Sequence, residues 1–171
     1  MQSGKPRHLV RYDYGMGGLL WWIHAESAAA IGESLAGVEV LTDPESLREA
    51  AAQDLKTVDL DGPLPVPLSG MRAERLEQQN MPGFGALVGR DRVYLAWTSR
   101  PAADGTASRT LVELGPDGRV RRQVAVGANG DAVRADDEER TSRPAFDLYD
   151  PQYAEMEVDA AEFEEAWRLS A

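Results

Sequence analysis

The sequence predicts an α+β protein: a mainly antiparallel sheet of about six to seven strands, with helices packed on one side and a C-terminal helix. Three observations predict it. Short alternating or apolar runs recur between Gly- and Pro-bearing breaks. Several stretches of helical spacing open on a Ser or Asp cap. The last such stretch carries Phe163 and Trp167 four residues apart, on one side of a helix.

The elements follow in chain order. Residues 8–14 alternate, with Val10, Tyr12 and Tyr14 on one face, as in a half-buried strand. Gly15-Met-Gly-Gly18 breaks that strand, and 19–25 follows as a second one, apolar on both faces, so 8–25 reads as a hairpin. Ser27 caps a helix through Leu35, stopped by Gly37, and 38–41 is a short strand. Asp43-Pro44 opens a helix to about Gln53. Residues 61–70 hold three prolines and two glycines, which predicts an extended connector lacking the donors of a central strand. A helix over 69–80 ends at Met81-Pro82-Gly83, and strands are predicted at 84–88, 92–98, 110–114 and 119–126. Gly115-Pro-Asp-Gly118 joins the last two as a turn. Residues 127–144 are polar and charged, which predicts a flexible acidic linker; Asp159 then caps the final helix over 160–169.

Composition bounds the function. At 171 residues the chain is expected to form a single domain, 1–171. The absence of cysteine excludes disulfides, thiolate zinc sites, Fe–S clusters and cysteine nucleophiles. The longest apolar run, 17–23, is a third of the roughly 20 residues a spanning helix needs, so no membrane partner is expected. The N-terminus has no apolar core of a signal peptide, which predicts a cytoplasmic protein. With 29 acidic and 18 basic side chains the net charge is −11, which argues against nucleic acid as a partner. Sixteen of those bases are Arg and two are Lys, a bias expected of GC-rich bacterial coding.

Most candidate motifs fail on chemistry. A phosphate cradle at Gly15–Gly18 needs a helix after it, and an apolar strand follows instead. His8 and His24 face each other if Tyr14 pairs with Gly18, and point to opposite faces if Tyr14 pairs with Leu19. In either case a third metal ligand is not marked. Asp136-Asp-Glu-Glu139 lacks the spaced oxygens and central glycine of a calcium loop. Neither Gly-x-Ser-x-Gly nor Ser-x-x-Lys occurs, and Ser69 reads as a helix cap. No catalytic, cofactor-binding or metal-ligating residue is assigned, and no cofactor is expected.

Charge placement is more informative. Residues 136–171 carry 12 acids and 3 bases, net −9, against net −2 for all of 1–135. Asp136, Asp137, Glu138 and Glu139 are therefore candidate partner-binding residues. Trp21 and Trp22 must face opposite ways on a strand, so one is expected in the core and the other exposed or covered by another element, and only one of the two is expected to be deeply buried. Trp22 is the candidate anchor.

The opening Tyr12-Asp-Tyr-Gly-Met-Gly-Gly-Leu-Leu-Trp-Trp-Ile23 resembles short uncharacterised proteins of actinobacteria. The stretch from Leu111-Val-Glu-Leu-Gly-Pro-Asp-Gly-Arg-Val120 to Phe163-Glu-Glu-Ala-Trp167 is similar to small domains placed among toxin-immunity proteins. The likeness covers about half the chain, includes no catalytic motif and transfers no residue roles. Charge and resemblance together imply a non-enzymatic acidic binding protein, immunity- or antitoxin-like, that engages a basic protein partner. The alternative is a small-molecule enzyme or accessory protein of bacterial secondary metabolism, with a pocket between sheet and helices.

Overall fold

The computed structural model describes residues 4–101 and 103–170. Among them the chain is mixed α+β, mostly antiparallel, and has a C-terminal helix, as the sequence predicts. The strands form two sheets of four rather than one of six or seven. Contacts group the chain into two compact units, Met1–Phe84 and Gly85–Ala171, each with its own sheet and core.

The first unit runs β1 (Arg7–Asp13), β2 (Gly18–His24), α1 (Ala28–Ser34), β3 (Val38–Leu41), α2 (Pro44–Ala51), β4 (Thr57–Asp59) and α3 (Leu68–Gln78). Its sheet order is β3-β1-β2-β4, antiparallel except that β4 lies parallel to β2. The hairpin closes with Asp13 opposite Gly18, a register that differs from both sequence alternatives. The Tyr14 amide donates to Gly17 O (3.2 Å) and the Gly15 amide to Asp13 Oδ1 (2.8 Å), which sets the loop length. His8 consequently faces Ile23 across the strands and His24 faces Arg7, so the imidazoles occupy opposite faces of the sheet.

Both faces of this sheet are covered. Val10, Trp21 and Ile23 pack with Ile31 of α1 and Met71 of α3. Leu9, Trp22 and Leu41 pack on the other face against Ala50 and Leu47 of α2. The expectation that only one of the tandem tryptophans is deeply buried is therefore wrong: Trp21 is 6% exposed and Trp22 7%. The second helix layer is the reason.

Further differences are local. α3 starts at Leu68, so Ser69 lies inside the helix and its N-cap is Pro67, with no side-chain cap bond. The predicted strand at 84–88 is a series of turns, because Gly83, Gly85 and Gly89 all take positive φ (86°, 69° and 81°). Buried Arg75 donates to Leu35 O (2.9 Å) and to Gln78 Oε1 (2.6 Å), tying α3 to the end of α1.

The second unit is a meander, β5 (Val93–Thr98), β6 (Ser108–Leu114), β7 (Val120–Gly127) and β8 (Ala132–Arg134), with all pairs antiparallel. Then follow α4 (Asp137–Ser142), α5 (Pro151–Ala154) and α6 (Ala160–Leu169). The segment predicted as a linker thus contains β8 and α4, and Glu139 of α4 accepts from the buried Gln123 of β7 (3.2 Å). One sheet face, with Ala96, Leu111 and Val124, packs on Phe163 and Ala166 of α6. The other, with Val93, Leu95 and Val112, packs on Leu87, Phe146, Tyr153 and Met156. Along the outer side of β5 run residues 156–158, where the Ala96 amide donates to Met156 O and the Val158 amide to Tyr94 O, both at 2.9 Å.

Gly118 joins the turn after β6 to that second face. Its φ is +78°, and a Cβ there would lie 2.2 Å from Phe146 O, while its own carbonyl accepts the Phe146 amide (2.8 Å). No helix among the described residues is long and apolar enough to cross a membrane.

Candidate functional site

The end of β5 and the chain around α5 enclose a groove of about 570 Å³, lined by Trp97, Arg143, Phe146, Tyr153 and Met156 among others. Local rules place each wall. Strand alternation sends Trp97 to the same face as Leu95. α4 ends at Arg143, held extended (φ −71°, ψ 135°) by the Pro144 that follows. Phe146 is fixed by its bond to Gly118. Tyr153 sits on α5, which begins at Asp150-Pro151 with Asp150 Oδ1 accepting the Gln152 amide (2.9 Å).

The walls form a continuous run of contacts. The Arg143 guanidinium carbon lies 5.6 Å from the Trp97 ring, Trp97 lies 5.9 Å from Phe146, and Phe146 meets Tyr153 edge-on at 5.0 Å. Arg143 makes no ion pair among the described residues, and its Nε is buried without a hydrogen-bond partner. Burial, then the charges of Asp150 and Asp147, push the Tyr153 phenol above its ordinary value, so it stays a protonated donor. A groove of this size, with aromatic walls and several placed polar groups, is a common form of a small-ligand seat.

The sequence-derived candidates lie elsewhere and are mostly engaged within the fold. Asp136 caps α4, accepting the Glu139 amide (2.7 Å), and Asp137 pairs with Arg140 (2.8 Å). Glu139 holds Gln123, and the carboxylate of Glu138 is exposed with no partner among the described residues. Later acids are paired too: Glu157 with Arg90, Glu162 with Arg109, Glu164 with Arg122 and Glu165 with Arg168. Residues 85–135 carry 8 bases and 5 acids, and three of those bases, Arg90, Arg109 and Arg122, pair with acids of 136–171. Trp22 belongs to the first unit, buried beneath Arg7, whose guanidinium carbon is 4.2 Å from its ring. It is not an exposed anchor.

Two further clusters of titratable side chains lie outside the groove. Glu113 is buried in β6, bonded by Arg122 (2.6 Å) and approached by Arg92 (3.8 Å). Burial pushes its carboxyl up, but Arg122, the Tyr94 hydroxyl and Arg92 outweigh that and hold it below the ordinary range. A carboxylate ionised this firmly is a poor proton donor. Arg122 also lies over Phe163 (4.8 Å) and Trp167 (5.1 Å), so the cluster anchors α6 to the sheet. The second cluster, His8 and His24, is divided between two sheet faces, and His24 Nδ1 contacts Lys5 O (2.8 Å). Among the described residues no three His, Cys, Asp or Glu side chains are grouped to hold a metal ion.

Sequence reasoning missed this groove. It left Trp97, Arg143, Phe146 and Tyr153 unassigned. The available signal was the aromatic density of Phe146-Asp-Leu-Tyr-Asp-Pro-Gln-Tyr153 next to a proline-flanked arginine. In comparisons with known proteins, no family model, no curated protein and no solved structure matches this chain, so its functional reading rests on this geometry.

Proposed function

We propose that this chain is a non-enzymatic, cytoplasmic binding protein whose ligand seat is the groove of the second unit. The observation that carries the reading is Arg143: an arginine without an ion pair, in a chain of net charge −11, set against aromatic walls. Arginine in such surroundings is commonly satisfied by its ligand. Among the described residues no nucleophile–base pair lies around the groove, which favours binding, and the reading matches a small-molecule accessory role. A fragment screen followed by the indole N–H resonance of Trp97, assigned with Trp97→Phe, tests it. Aromatic fragments should shift that resonance selectively. A screen in which it never moves refutes the seat.

A second reading is favoured by Glu138 and the exposed carboxylates beside it on α4: an immunity- or antitoxin-like face for a basic protein. The variant Asp136→Asn, Asp137→Asn, Glu138→Gln, Glu139→Gln retains a capping side chain at 136, so α4 is expected to persist. Against a partner captured from native lysate, the variant should associate more slowly while dissociating at nearly the same rate. An unchanged, salt-insensitive association rate would leave these residues as a solvated face of the fold.

A further inference from the structure

The contact sequence within the groove is polarised. Arg143 touches Trp97, Trp97 touches Phe146, and Phe146 touches Tyr153. The positive charge therefore stands at the Trp97 end, whereas the field of Asp150 and Asp147 falls on Tyr153. Asp150 is already committed at the start of α5, where its carboxylate accepts both the amide and the side-chain nitrogen of Gln152 (2.9 and 3.0 Å). Arg143 has no such commitment: its Nε is buried and unpartnered, and it has no carboxylate within ion-pairing distance among the described residues. Three aromatic side chains and Met156 offer faces and edges to a flat apolar body.

From this juxtaposition, and resting on the groove being the ligand seat, we propose that the ligand is a small aromatic carboxylate. Its acid group would be taken by Arg143 and its ring system would lie along Trp97, Phe146 and Tyr153. A planar guanidinium matches the two oxygens of a carboxylate. The acids beside Tyr153 disfavour the reverse orientation, with the anion away from Arg143. A groove of about 570 Å³ accommodates a two-ring ligand.

Three probes of one shape test this on the full chain: 2-naphthoate, its neutral isostere 2-naphthamide, and 2-naphthylmethylammonium. Affinity is read by calorimetry, and position by the Trp97 indole resonance. The anion should bind about tenfold more tightly than the amide, the step expected of one charge-assisted pair, and the cation most weakly. Arg143→Gln should bring the anion down to the level of the amide and leave the amide unchanged, while Arg143→Lys should keep part of the preference. Equal affinity of wild type for anion and amide, a preference for the cation, or an anion preference that survives Arg143→Gln would overturn the carboxylate assignment and leave the seat standing. No binding of any probe up to about 5 mM, near the weak limit of specific ligands, would overturn both readings. Arg143 is partly exposed and makes no ion pair among the described residues, so Arg143→Gln, which gives up its packing over Trp97, should melt close to the wild type, and that melt is measured alongside.

Discussion

Replacing Gly118 with Ala separates two costs that turn glycines usually combine. Gly118 and Gly105 both belong to the second unit and have nearly equal backbone angles, φ +78° and +80°. Around Gly105 nothing lies within 4 Å of an added Cβ, whereas at Gly118 that atom would fall 2.2 Å from Phe146 O and 3.2 Å from its carbonyl carbon. Left-handed backbone costs an L side chain about 1–2 kcal/mol, and both variants carry that cost. Only Gly118→Ala must also displace backbone, at about 1–3 kcal/mol for overpacking. It further strains the Phe146–Gly118 hydrogen bond, worth about 1 kcal/mol. The totals are about 1–2 kcal/mol for Gly105→Ala and about 3–6 kcal/mol for Gly118→Ala. Amide hydrogen exchange along β6 and β7 reads the opening free energy of this unit without contribution from the other. Equal losses in the two variants would refute the close approach, and with it the fixing of Phe146 in the groove.

Other outcomes follow from packing and charge. Trp21→Ala and Trp22→Ala should each cost about 3–5 kcal/mol in exchange-derived stability of β1 and β2, because a helix layer covers each face; a near-neutral Trp22→Ala would show that α2 does not bury it. Phe163→Ala should cost a similar amount, about 3–5 kcal/mol, and release α6, visible as lost exchange protection in residues 160–169. Glu113 has a folded-state pKa below its ordinary value, so its stabilising contribution is complete above the unfolded pKa near about 4.3 and disappears as pH falls through the folded value. Glu113→Gln should therefore flatten the acid limb of a urea-stability profile of the second unit, and an unaltered limb would count against the Glu113–Arg122 pairing.

Where signals were local, the sequence was readable. Ser27, Asp43 and Asp159 each cap a helix by accepting the amide three residues on, at 3.1, 2.8 and 2.8 Å. The Gly115–Gly118 turn closes as its Pro-Asp-Gly composition implies, with the Gly118 amide donating to Gly115 O at 3.0 Å. What depended on distant partners was not readable. β4 and β8 have three residues each, too few to show alternation, and exist because a neighbouring strand offers pairing. Trp22 carries no mark of the helix that covers it, since α2 reaches it only through the fold. The groove is harder still. Its four central side chains are drawn from positions 97 to 153, and Arg143 is one of sixteen arginines until its buried, unpartnered Nε beside Trp97 becomes visible.

The strip at 156–158 has a consequence for how the second unit is made. β5 lies at the end of its sheet, and its outer hydrogen-bonding groups are met by Met156 and Val158, sixty residues later in the chain. During synthesis the four strands can therefore pair well before that edge is sealed, and an unsealed edge recruits strands from other molecules. The same exposure would return if a protease cut the chain after α5. Loss of so short a tail would open the β5 edge to pairing with other molecules, so a clipped or stalled chain is expected to self-associate.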